Sequence, residues 1–165
     1  MADEKWNIKV LSSGERSVLK RSAGTMMGKD LRAMESYYKA VISPPRSRGR
    51  EEKLFACLCM ECLWKEEDHP KEIPFEELLK NMYQDDNSSS SMKTRIINLM
   101  DIPWGDDGFL LGKIYGFVKK MKSGDASVKP DFIKLYEDLC QWNNPDQYIQ
   151  RRWIRTICTF DKEEE

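Results

Sequence analysis

At 165 residues, with 40% hydrophobic and 33% charged side chains, the chain has material for one domain or two small lobes with heavily charged outer faces. No run of apolar residues is long enough for a membrane-spanning helix, and the mixed, acidic opening MADEKWNIKV does not read as a signal peptide, so a cytoplasmic protein is expected. The net charge of -1 hides a strong asymmetry: residues 1–50 hold 11 Lys+Arg against 5 Asp+Glu (net +6), residues 51–90 hold 4 against 11 (net -7), and residues 91–165 hold 12 against 12.

Helical periodicity recurs along the chain, and no segment sustains period-two alternation. A first helix is expected from a cap near Ser13 to about Ala23, followed by a break at TMMGK. A second, DLRAMESYYKAV, starts at Asp30 as N-cap and ends before Pro44 and Pro45, because residues preceding proline favour extended backbone. SPPRSRGR then reads as a loop carrying Arg46, Arg48 and Arg50. A third helix, from about Glu51 to Asp68, is apolar on nearly all sides around KLFACLCMECLW, the pattern of a buried central helix. PFEELLKNMY is a short helix with Pro74 at its start. QDDNSSSS is loop-like and sets an expected boundary between lobes at 1–87 and 88–165.

The second lobe begins with MKTRIINLMD. In DDGFLLGKIYGFVKKMKSG, Leu110, Leu111, Ile114, Phe117, Val118 and Met121 fall within about 120° of one another, with Lys113, Lys119 and Lys120 on the other side. Gly124 is the natural stop. Asp131 caps FIKLYEDLCQW. In the last helix, PDQYIQRRWIRTICTF, Ile149, Trp153, Ile157 and Phe160 share one stripe, and Arg151, Arg152 and Arg155 occupy the opposite one. The DKEEE tail is expected to fray. The fold class is therefore all-α: a helical bundle of about seven to eight helices in two small lobes.

Chemistry-bearing clusters are sparse. CLCMEC with His69 suggests a metal site, but Cys57 and Cys62 point to different sides of a helix, and one tetrahedral ion does not reach all three thiols. Reduced, core-packed cysteines are the expectation. The lone His69 precedes a proline at a helix end and has no evident nucleophile partner. GTMMGKD lacks the glycine spacing of a phosphate loop. IPWGDDG carries two adjacent aspartates that Asp-Gly turn chemistry explains as well as a cation would. No enzyme activity, cofactor, metal or small-molecule substrate is expected.

The basic residues remain. Arg16 and Lys20 lie one helical turn apart, with Arg21 about 100° further round and Leu19 and Ala23 on the inward side. Phosphate contacts require little more than Lys or Arg free to reach oxygens along a strand. Arg46, Arg48 and Arg50 fit the same role, as do Arg151, Arg152 and Arg155. The competing expectation is that each pairs with acids of a neighbouring helix.

The order and spacing of ERSVLKRSAG, the aromatic helix ESYYKAV, and the stretch TRIINLMD…DGFLLGKIYGFVKKMKSGD…PDFIKLYEDLCQWNNPDQYIQRRWIRTI resemble the CasB family, the small subunit of the type I-E CRISPR surveillance complex Cascade. The likeness runs from about Trp6 to Phe160. It implies an all-helical, two-lobed fold with no catalytic role. It also implies packing of two copies against the backbone and large subunits, and a non-specific surface holding the guide RNA–target DNA hybrid and the displaced strand. Arg16, Lys20 and Arg21 would face phosphates, and the acidic segment 51–90 would face solvent or a basic neighbour. The alternative is a helical protein-binding adaptor or assembly module with no direct nucleic-acid contact.

Overall fold

In the computed structural model, which describes residues 5–85 and 87–160, the first helix is fixed by Ser12 rather than Ser13. The Ser12 hydroxyl accepts from the Glu15 N–H (3.1 Å) and the Glu15 carboxylate accepts from the Ser12 N–H (2.9 Å). This reciprocal box sets α1 at Ser13–Arg21. The turn that follows needs Gly24, whose φ is +80° and whose missing Cβ would sit 2.3 Å from the ring of Tyr115.

Asp30 caps α2 (Leu31–Ala40) as expected, accepting from the Arg32 N–H. The helix stops short of the prolines, because Val41 pairs antiparallel with Trp6 and the Asn7 N–H donates to the Ala40 carbonyl. The next helix also departs from expectation at both ends. Ser47 caps α3 (Arg48–Glu61), so Arg48 and Arg50 are helical rather than in the loop. The chain leaves the helix after Glu61, not Asp68, and turns through a short 3-10 segment, Glu66–Asp68. Leu54 to Met60 are all buried, as befits the central helix, and α1 packs against it. Cys57, Cys59 and Cys62 are core residues, and burial pushes their thiols up, that of Cys62 to about 12.

Two three-residue strands, β1 (Lys71–Ile73) and β2 (Val128–Pro130), pair in parallel with Lys71 opposite Val128. Such short strands carry no readable alternation, so nothing along the chain hints at them. Pro74 precedes α4 (Phe75–Gln84), and Ser89 caps α5 (Ser90–Asn98), which continues into a 3-10 turn, Leu99–Asp101. In α6 (Phe109–Gly124) all six apolar-stripe residues are buried. Asp131 caps α7 (Phe132–Cys140) through the Lys134 N–H. In α8 (Tyr148–Cys158) Ile149, Trp153 and Ile157 are buried, whereas Phe160 lies beyond the helix end and is exposed.

The fold is mostly helical, with eight α-helices among the described residues. Contacts link the two ends of the chain: α3 packs on α7, and α4 on α8. Trp153 is the centre of the second contact, with its ring 4.9 Å from that of Trp142 and 5.3 Å from that of Phe75. Among the described residues, no helix is long and apolar enough to cross a membrane. The DKEEE tail lies outside the described residues.

Candidate nucleic-acid interface

The acid nearest the first basic cluster is not available to neutralise it. Glu15 is committed to its capping box and to the Lys39 ammonium, 3.1 Å away. The Ser12 N–H and then the Lys39 ammonium hold its carboxyl below the usual range. Lys20 and Arg21 are exposed at the end of α1. Cations in a last helical turn also sit favourably against the helix dipole.

Arg16 differs from its two neighbours. Half-buried, it donates through Nη2 to the main-chain carbonyl of Trp64, 3.1 Å away, tying α1 to the end of α3. It lines a cleft of about 540 Å3 together with Lys9, Lys65 and Lys129. Charge there is mixed, because Lys129 pairs with Glu61 at 2.9 Å and lies 3.8 Å from Glu72.

Beside α1 the structure assembles cations that sequence reasoning did not group. Lys122, in the last turn of α6, donates to the Leu63 carbonyl. Burial first, then the neighbouring Lys20 and Lys65, hold its ammonium below the usual lysine value. Lys20, Lys65 and Lys122 thus lie close together although they are far apart along the chain, with the Asp68 carboxylate partly offsetting their charge. No periodic signal within the sequence could have joined them.

The loop arginines separate. Arg46 and Arg50 line a second cleft, of about 580 Å3, with Lys5 and Tyr136. Burial, then the neighbouring Cys140, pushes the Tyr136 phenol up to about 12, against the opposing effect of the nearby Arg50 guanidinium. Arg48 projects into solvent and pairs with Glu52 one turn on at 3.2 Å, a surface contact of little energetic weight.

On α8, Arg151 and Arg155 are exposed one turn apart. Arg152 turns instead toward two buried carboxylates, Asp138 and Glu76, the latter at 3.5 Å. Asp138 also accepts from the Trp153 indole N–H (2.9 Å), and Glu76 from Lys134 (3.2 Å). Burial works to lower the Arg152 pKa, but the Asp138 and Glu76 carboxylates together outweigh it and raise it. Its charge is therefore compensated within the fold. The acidic segment is likewise partly internal: Glu61 and Glu76 face cations of this chain rather than solvent or a neighbour.

Of the nine predicted cations Arg16 alone is half-buried; the other eight are exposed, with Arg48 and Arg152 paired to carboxylates of this chain and Lys20, Arg21, Arg46, Arg50, Arg151 and Arg155 in no ion pair among the described residues. Elsewhere, Asp107 of the IPWGDDG stretch accepts from the Phe109 N–H at 3.0 Å, which is turn chemistry. The arrangement offers long, solvated cations on rigid helices, suited to phosphate oxygens.

The family described as CRISPR-associated protein Cse2 matches residues 15–156. A Cse2-family CRISPR-associated protein from Thermus thermophilus superposes with a TM-score of 0.69 at 21% identity, covering 91% of this chain and 90% of that one. M. ruber CasB gives 0.68 at 14% identity, covering 91% and 87%. A chain of a CRISPR RNA-guided surveillance complex gives 0.67 at 16% identity, covering 90% and 83%. The comparison with curated proteins found no match.

Proposed function

The chain belongs to the CRISPR-associated protein Cse2 family, and from that premise we propose that it is a non-catalytic small subunit of a type I-E CRISPR RNA-guided Cascade complex. In this reading it serves antiviral defence in the cytoplasm. It packs with a second copy against the backbone and large subunits, and it stabilises the guide RNA–target DNA hybrid and the displaced strand. Base pairing reads the sequence; this subunit supplies shape and positive charge. The likeness in fold to a chain of a surveillance complex supports assembly. The observation that carries the nucleic-acid part is the exposure of Lys20, Arg21, Arg151 and Arg155 on helix faces, with the nearest acid, Glu15, engaged elsewhere.

The test is a gel-shift titration of reconstituted complex on matched DNA at several salt concentrations. The variant replaces Lys20, Arg21, Arg151 and Arg155 with alanine. If all four meet phosphates, the log–log salt slope should become shallower by about 3–4 units. The loss should be similar for unrelated target sequences, because phosphate contacts carry no base information. Unchanged affinity and slope with the subunit incorporated removes these residues from the nucleic-acid surface. Loss of incorporation favours the adaptor reading, in which the same charges meet protein.

A further inference from the structure

A groove of about 560 Å3 lies between α6 and the α5–3-10 segment, away from the clefts described above. Its floor is apolar, made by Leu99, Ile102 and Phe117. Phe109 stands at its edge, 54% exposed. Gly112 and Gly116, one turn apart on α6, line the groove, and a Cβ on either would meet open space. Without side chains there, an incoming helix can approach α6 more closely than usual.

The rim is basic. Arg95, Lys113 and Lys120 line the groove and are exposed, and among the described residues none of them forms an ion pair. Lys113 lies 5.2 Å from the centre of the Phe109 ring. An apolar floor between unneutralised cations is complementary to a segment with an apolar stripe flanked by carboxylates. Nucleic acid fits less well. Phosphates gain nothing from Leu99, Ile102 and Phe117, and Lys113 competes for the ring a base would stack on.

We propose that this groove docks an acidic amphipathic helix of a neighbouring protein subunit. The proposal rests on the reading of the chain as a subunit of a larger complex. The partner helix places apolar residues at positions i, i+3 or i+4 and i+7 over Ile102, Phe109 and the Gly112–Gly116 face of α6, with the buried Leu99 and Phe117 beneath. Its flanking Asp or Glu side chains meet Arg95, Lys113 and Lys120.

Photo-cross-linking within the purified complex tests this. Asn98, exposed on the groove's rim, is replaced with p-benzoylphenylalanine, and cross-linked peptides are mapped by mass spectrometry. The expected result is a cross-link to one acidic, amphipathic segment of another subunit. Lys113→Glu/Lys120→Glu, confined to exposed positions, should abolish that cross-link and weaken incorporation by at least about tenfold. Gly112→Leu/Gly116→Leu should do the same by filling the groove. A cross-link to RNA, DNA or a non-acidic segment overturns the proposal, as does an incorporated chain that gives no cross-link. Normal incorporation and cross-linking in the charge-reversed variant also overturns it. If the unmodified chain does not co-purify with the complex at all, the subunit reading fails and takes this one with it.

Discussion

Arg16 donates to the main-chain carbonyl of Trp64, a residue 48 positions further along the chain, just past the end of the central helix. The contact gives Arg16 a structural duty that Lys20 and Arg21 do not share. Arg16→Ala should lower stability by about 1–2 kcal/mol, since a charged donor is lost from a half-buried carbonyl. Lys20→Ala and Arg21→Ala should each stay within about 0.5 kcal/mol of the parent. Urea unfolding separates the cases; equal midpoints for all three would show the Trp64 contact to be energetically idle.

The pair of buried acids under α8 predicts a larger effect. Asp138 accepts from both Arg152 and Trp153. Arg152→Ala leaves Glu76 with Lys134 but leaves the buried Asp138 carboxylate with no cation, and should cost about 3–5 kcal/mol. Asp138→Ala strands the indole N–H, but the guanidinium it leaves is 43% exposed and still faces Glu76, so its cost should be smaller, about 1–3 kcal/mol. Thermal unfolding checks the order, and a reversed order would mean that the Trp153–Asp138 hydrogen bond, not the ion pair, organises the site.

Glu61 predicts a pH dependence. Burial raises its pKa above the ordinary 4.5, outweighing the Lys129 ammonium and the Trp6 indole N–H. The fold thus suits its neutral form better. That contribution to stability is fully present below pH 4.5 and is lost as pH rises through the elevated folded value. Glu61→Gln, neutral throughout, should be at least as stable as the parent at pH 7, and the difference should vanish as pH falls below 4.5. A variant clearly weaker at pH 7, with the deficit shrinking on acidification, would show that the charged pair with Lys129 stabilises the fold on balance.

Two glycines with similar backbone separate strain from collision. Gly24 and Gly28 have φ of +80° and +98°, but only Gly24 faces a ring, that of Tyr115. Gly28→Ala should cost about 1–2 kcal/mol from backbone strain alone. Gly24→Ala should cost about 1–3 kcal/mol more, because the ring must move. Calorimetric midpoints that fall equally for the two would mean that Tyr115 yields freely.

Much of the helical framework was legible because its signals are local. Asp30 and Asp131 cap the helices they were expected to cap, and the six apolar residues of α6 turn inward together. The misplaced ends have non-local causes. Trp6 halts α2 at Ala40 by pairing with Val41, and β1 is defined only by its partner β2. The candidate site divides the same way. Exposure of Lys20, Arg21, Arg151 and Arg155 follows from helical phase. The engagement of Arg16 by Trp64 and of Arg152 by Glu76 joins residues 48 and 76 positions apart, which no window along the chain contains.

The parallel pairing of β1 with β2 has a consequence for how the chain is made. Parallel neighbours need a long crossover, and here it spans α4, α5 and α6. On the ribosome, Lys71–Ile73 emerges well before its partner exists, and the buried faces of α3 and α4 wait for α7 and α8. Closing such distant contacts is entropically slow. During synthesis α1 can cover one side of the central helix at once, but the side of Leu54 to Met60 that α7 covers stays exposed until that helix arrives.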